Sequence, residues 1–206
     1  MNRILSSALR AFVGTGAIVL VIAISLIHAV AEEWVPVPEE SRIGFRAIQM
    51  GAPFDGEFTR YRASIVFDPD RLEQSQVFFT VDIDSVDTQN AERDAAMQTA
   101  DWFDATNHPT ATFASDAIAA LGESRYEARG TLTMRGVTQP VVFPFTFEVV
   151  GPEEGRTQQD GDQLARVEGA FPVARTKFGI GQGQWASEGV IGDQVLIQVE
   201  LTASAN

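Results

Sequence analysis

Apolar and polar residues alternate with period two along most of this chain. Thr59, Tyr61, Ala63, Ile65 and Phe67 share one face, opposite Arg60, Arg62 and Ser64. Val77, Phe79, Val81 and Ile83 oppose Gln76, Thr80, Asp82 and Asp84. Tyr126, Ala128, Gly130, Leu132 and Met134 oppose Glu127, Arg129, Thr131, Thr133 and Arg135. Val141, Phe143, Phe145, Phe147 and Val149 form the most aromatic stripe, and Val195, Ile197, Val199 and Leu201 the last. Successive side chains of a strand point to opposite faces, so each run reads as a strand with one apolar and one wet face. Residues 42–49, 110–115 and 165–171 are shorter candidates.

Turn chemistry separates the runs. Asp68-Pro69-Asp70 closes one strand, and Arg135-Gly136 sits between two alternating runs as a hairpin turn would. Residues 151–162 are polar and rich in turn formers, so a long exposed loop is expected there. Asn90 to Ala100 alone carries helix formers and predicts a short helix or helical loop. About eight mostly antiparallel strands with one helical insert predict an all-β, closed or nearly closed eight-stranded barrel. Periodicity alone leaves a two-sheet sandwich open.

The first residues read differently. Arg3 and Arg10 precede an apolar run from Ala11 to Ile27, and Ala29-Val30-Ala31 is a small-x-small cleavage pattern before Glu32. That order describes a secretory signal peptide over residues 1–31, with a barrel domain over 32–206. The run nearly reaches the length of an inner-membrane anchor. Either reading keeps the arginines inside and places the domain in the periplasm. The formal net charge is -13, and Lys177 is the only lysine. Nucleic-acid binding needs clustered cations and is excluded on that ground.

Motifs for chemistry are scarce. There is no cysteine, which excludes thiol nucleophiles and Cys-ligated metals. Beyond the leader, His108 is the only histidine, in Asn107-His108-Pro109, and no G-x-S-x-G elbow is present. It reads as a loop residue at a strand entry. Asp82, Asp84 and Asp87 lack the glycine and closing glutamate of a calcium loop, and the first two lie on a wet face. Gly179, Gly181 and Gly183 do not have dinucleotide-loop spacing and suit an irregular crossing near a barrel mouth, with Trp185 as a cap. No catalytic residue, metal or cofactor is assigned.

Aromatic residues remain. The chain has 14 phenylalanines, of which only Phe12 lies in the leader. Any one of them is ordinary core. As a group, Phe45, Tyr61, Ile65, Phe143, Phe145, Phe147 and Phe171 are expected to line an elongated apolar tunnel.

Several stretches carry a resemblance. These are Ser41-Arg42-Ile43-Gly44-Phe45, Gly56-Glu57-Phe58, and Ile65-Val66-Phe67-Asp68-Pro69. The longest runs from Asp82 through Asp87-Thr88, Asn90 and Arg93-Asp94 to Asp101-Trp102-Phe103-Asp104-Ala105 and His108-Pro109-Thr110. Gly130 to Thr138, Gln139-Pro140 and Phe178-Gly179-Ile180-Gly181 complete the set. In this order they resemble the YceI family of exported bacterial proteins over nearly all of residues 34–204. The resemblance implies a lipocalin-like barrel holding a polyisoprenoid or similar amphiphile. Of these signature residues, Asp87 or Asn90 can cap the helical segment and Arg93 can pair with a carboxylate, so none is assigned catalysis. Met97 and His108 depart from the Leu and Tyr common at those places. The stretch from Gly179 to Ser187 is similar to members joined or adjacent to membrane di-haem cytochromes b, which implies a quinone as ligand.

Three functions compete on this reading. The first is a periplasmic carrier of a long-chain isoprenoid lipid or quinone. The second is a ligand-free interaction module partnering a membrane cytochrome b, since eight strands can be filled by their own side chains. The third, a lipid-acting enzyme, lacks candidate groups. The oligomeric state stays open, a dimer included.

Overall fold

A computed structural model describes residues 31–150, 163–187 and 189–205. The leader expected up to Val30 and the exposed loop expected at 151–162 lie outside the described residues, and with them the choice between cleavage and anchoring. No helix among the described residues is long and apolar enough to cross a membrane.

Among the described residues, eleven strands form one antiparallel sheet: β1 (Glu33–Pro36), β2 (Arg42–Gln49), β3 (Ala52–Phe58), β4 (Tyr61–Val66), β5 (Gln76–Asp82), β6 (Val86–Asp87), β7 (Thr110–Gly122), β8 (Arg125–Met134), β9 (Val137–Val150), β10 (Leu164–Ala174) and β11 (Gln194–Ala205). The first six are three chain passes, each bent once. β11 pairs with β2 through residues 196–200 and with β1 through residues 203–205. β1 in turn pairs with β4 and β2 with β3, while β4 pairs with β5 and β3 with β6. Merged in this way, the strands make eight passes, each beside its neighbour in sequence, and the pairing of β11 with β1 closes the barrel. An up-and-down barrel of this kind leaves no free edge over its closed part. The two-sheet sandwich is thereby set aside.

Polar side chains hold the bends. The Ser41 hydroxyl donates to the Thr202 carbonyl at 3.1 Å and accepts from the Thr202 N–H at 3.2 Å, where β1 gives way to β2. Ser85, buried, accepts from the Arg60 N–H at 3.1 Å and donates to the Asp82 carbonyl at 2.6 Å, tying the β3–β4 bend to the β5–β6 bend. The β8–β9 hairpin turns on Arg135 and Gly136, both with positive φ (49° and 70°), the pairing that a two-residue type I′ turn requires. Glu123-Ser124 (52° and 59°) and Met50-Gly51 (51° and 80°) do the same for β7–β8 and β2–β3.

The helical insert is α1 (Ala91–Met97). Asn90 caps it, its side chain accepting from the Arg93 N–H at 3.0 Å, while Asp87 accepts from the Gln89 N–H. The expected pairing of Arg93 with a carboxylate is not what forms. Its Nε donates to the Thr88 hydroxyl, one Nη to the Thr88 carbonyl and the other to the Gln49 amide oxygen. The nearby carboxylate of Asp94 is already taken by the N–H and hydroxyl of Thr88, at 2.9 and 2.6 Å.

Candidate functional site

The barrel interior has two halves. In one, side chains fill the space. Phe67 is 2% exposed, and the ring centroids of Phe147, Tyr126 and Phe145 lie 4.5, 5.0 and 5.7 Å from its own. Trp34 closes on Phe147 at 5.1 Å and donates its indole N–H to the Phe67 carbonyl at 2.9 Å. Edge and offset contacts at these distances are favourable aromatic geometries and leave no room for a ligand.

The other half is hollow. The space between its lining atoms is about 1100 Å³ counting its mouth. One water in the liquid takes only ~30 Å³, so this is a cavity and not a packing defect. Its wall is apolar almost throughout. Phe45, Phe79, Phe113, Leu132, Phe143 and Phe171 supply the strand side, while Met97 of α1, Trp102, Phe103 and Ile180 roof the end. The lining contains no carboxylate, histidine or cysteine.

Of the residues expected from sequence to line a tunnel, Phe45, Phe143 and Phe171 do so. Tyr61, Ile65, Phe145 and Phe147 are not among the lining residues, and Phe145 and Phe147 belong to the filled half. The reason is geometric. Alternation fixes which face a side chain takes, not its level along the barrel axis. Two residues along a strand advance about 6.5–7 Å, so Phe143 reaches the cavity while Phe147 lies deep in the plug. Tyr61 is half-buried, and its hydroxyl has no hydrogen-bond partner of good geometry. Burial raises its pKa, with the Ser41 hydroxyl acting the other way and Glu39 adding to the rise.

Two glycines make room for the wall. A Cβ on Gly56 would stand 2.4 Å from the Phe45 ring, and one on Gly169 would stand 2.5 Å from the Phe143 ring and from the Pro144 carbonyl. Neither is a turn glycine; each lets a neighbouring phenylalanine lie flat along the inside of the sheet.

The roof has an anchor that sequence reasoning missed. Arg175 is 2% exposed. Its guanidinium donates to five carbonyls: Ile180 and Gly181 at 2.8 Å each, Trp185 at 2.9 Å, Ile191 at 2.8 Å and Gly192 at 3.1 Å. A guanidinium has five N–H donors, and all five are used in folding the 175–192 segment over the cavity. Gly179 and Gly181, both with positive φ, lie inside this crossing, and the Trp185 ring packs 5.7 Å from that of Trp102. No one-dimensional signal marks such a carbonyl cage. Trp102 and Phe103 were visible only through the family signature, and Phe79, Phe113 and Leu132 only as members of apolar stripes.

The other sequence candidates fall outside the cavity. Asp82 pairs with Arg60 and Arg62, and Asp84 with Arg60, on the outer face. His108 sits just before β7, with its ring against Gly136. Among the described residues no cluster of His, Asp and Glu is arranged to hold a metal.

Known proteins share this fold. The sequence matches the YceI-like domain over residues 34–203. A UPF0312 protein of Vibrio cholerae is 32% identical over 139 residues, 67% of this chain and 71% of that protein. One from Azotobacter vinelandii is 35% identical over 61% of this chain and 62% of its own length. Among solved structures, Burkholderia cenocepacia BcnA superposes with a TM-score of 0.73 and 29% identity, covering 81% of this chain and 98% of that one. A polyisoprenoid binding domain from Saccharophagus degradans has the same fold at 14% identity, with a TM-score of 0.63 over 86% of this chain and all of its own. The chain belongs to the YceI-like domain family.

Proposed function

We propose that this protein binds one long-chain isoprenoid lipid in the hollow half of its barrel and carries it outside the cytoplasm. The carrying observation is the cavity itself, closed by the sheet, roofed by α1 and the 175–192 segment, and apolar along its wall. Such a wall offers a hydrocarbon chain close contact and nothing to desolvate. Apolar burial contributes about 25 cal/mol per Å², so several hundred Å² of lipid surface supports binding after association costs. The name of the Saccharophagus degradans neighbour points the same way. The leader pattern of Arg3, Arg10 and Ala29-Val30-Ala31 supports a periplasmic location. A quinone is the lipid favoured within this class, and a membrane cytochrome b the partner that would exchange it. Enzymatic action is not favoured, since the cavity lining lacks an acid, a histidine and a thiol. A ligand-free interaction module would need its barrel filled along its whole length, and only the plug half is filled.

The test is extraction. Protein purified from its native host is denatured in organic solvent and the extract is analysed by mass spectrometry. One isoprenoid lipid in near-stoichiometric amount supports the reading. Folded protein that comes empty and takes up neither polyprenol nor long-tailed quinone contradicts it.

A further inference from the structure

We propose that the tip of the β2–β3 hairpin is a membrane-docking element, which dips Met50 and Ile48 into the surface of a bilayer whose headgroups carry no net charge. The proposal rests on the reading of the cavity as a lipid site and adds how the barrel meets its source of lipid.

The tip is uncharged and exposed. Residues 47–54 read Ala-Ile-Gln-Met-Gly-Ala-Pro-Phe, without an ionisable group, in a chain of net charge -13. Met50 is 79% exposed and Ile48 37%, and Gly51, Ala52 and Pro53 are exposed as well. The first charges below the tip are Arg46 and Asp55, directly opposite each other and joined by hydrogen bonds of 2.7 and 3.0 Å. From Arg46 to Met50 the strand advances about 13 Å. That reach covers the ~5–10 Å by which interfacial elements enter a bilayer. The turns at Glu123-Ser124 and Arg135-Gly136 each carry a charge, and the turn at Met50-Gly51 carries none.

Turn chemistry does not ask for Met50. Its φ is 51°, in the left-handed region where Asn or Gly is easier. A Cβ on Gly51 would meet nothing within 4 Å, so the tip stands in open space. Its backbone is nevertheless held. The Met50 N–H donates to the Val190 carbonyl at 2.8 Å, and the Gly192 N–H to the Ile48 carbonyl at 2.9 Å. Met50 is thus a large apolar side chain, fixed outward, that serves neither the turn nor the core.

Position and shape select a lipid surface as the occupant. The same hairpin is part of the cavity wall: Ala47 and Phe54, opposite each other in register, line the cavity. Met50 lies three residues beyond Ala47, about 10 Å along the strand. A tip seated in a bilayer brings that wall to the membrane surface, where a long-chain lipid resides. A protein partner needs about 1000 Å² of buried surface, anchored by aromatic or arginine side chains. A projecting turn with one methionine and one isoleucine provides neither.

Charge decides the kind of bilayer. Glu188 and Asp193 bracket residues 189–192, which hold the tip, and Glu92 and Asp94 flank Arg93, which donates to Gln49. Anionic headgroups attract clusters of Lys and Arg, whereas the surroundings of this tip are acidic. A zwitterionic surface admits the apolar tip without that repulsion.

The experiment is flotation of the exported chain, from Glu32 on, with vesicles of phosphatidylcholine and with vesicles of equal parts phosphatidylcholine and phosphatidylglycerol. Binding to the first should be tighter and should not weaken in high salt. Met50→Asn places the favoured Asn-Gly pair in the turn, so it should fold at least as well as the unmodified protein. Its binding to phosphatidylcholine vesicles should fall about fivefold to tenfold, the loss of one shallowly inserted apolar side chain. Its uptake of polyprenol from detergent micelles should stay unchanged, while uptake from vesicles slows by the same factor. Vesicle binding that Met50→Asn leaves intact, or that needs the anionic lipid, overturns the docking element. So does a protein that takes up polyprenol from micelles and binds no vesicle. A Met50→Asn protein with altered self-association in ultracentrifugation without vesicles overturns it too, in favour of a contact between copies. In each of these cases uptake from micelles judges the cavity reading separately. Met50-dependent vesicle binding by a protein that takes up no polyprenol or quinone supports the tip and overturns the cavity reading.

Discussion

Phe45 of β2 sits directly opposite Gly56 of β3, and its ring lies so close across that glycine that a methyl group there would be 2.4 Å from the ring. The ring is part of the cavity wall. Gly56→Ala should therefore drive Phe45 into the cavity, cost about 1–3 kcal/mol of stability as overpacking does, and reduce lipid uptake. Double substitution with Phe45→Leu should restore part of the uptake. Thermal unfolding and lipid extraction, run side by side, check both.

The two-halves architecture separates stability from binding. Phe145→Ala and Phe147→Ala remove rings from the plug, and each should cost about 3–5 kcal/mol. The lipid held per folded molecule should stay unchanged. Ala111→Trp, in the hollow half, should do the reverse by filling the space a chain would take. Equal loss of lipid in plug and cavity variants would show that the division into halves has no functional meaning.

How much of this was legible beforehand differs by element. Each of the five alternating runs and each of the three shorter candidates falls on its own chain pass, because alternation is imposed by burial of one face. The bends were not legible. β1 and β6 are short continuations, and the bends at Ser41 and Ser85 are held by hydrogen bonds to distant parts of the chain that leave no periodic trace. The I′ turns at Met50-Gly51 and Glu123-Ser124 lack the Asn-Gly or Asp-Gly signal. Val149, placed in the aromatic stripe by alternation, is 56% exposed near the end of β9. The cavity lining was legible by face and not by depth, which is why Phe143 and Phe147 looked equivalent in sequence.

Acid should unfold the protein partly through Asp68. The Arg71 guanidinium beside it holds its carboxyl below the ordinary carboxylate range; burial opposes the shift, and the Asp70 N–H assists it. With the folded pKa depressed, the stability this ion pair contributes is fully present above the unfolded value of about 3.9. It is lost as pH falls below that value through the lowered folded pKa. Asp68→Asn should be less stable at neutral pH and lose less on acidification. Urea midpoints at pH 7 and pH 3 test the sign.

Export predicts a definite mature terminus. Cleavage after Ala31 leaves Glu32 as the first residue, one position before β1 begins. N-terminal sequencing of periplasmic material should begin at Glu32. Material that begins at Met1 and stays with the inner membrane would favour the anchor.

Native mass spectrometry of the protein and of Ala111→Trp, purified in parallel from the native host, tests the lipid-binding claim most directly. The unmodified protein should carry a single adduct with the mass of one isoprenoid lipid, and Ala111→Trp, folded by circular dichroism, should carry little or none. An unmodified protein without adduct that also refuses added polyprenol and quinone, or a variant that keeps the full adduct, would contradict lipid binding in this cavity.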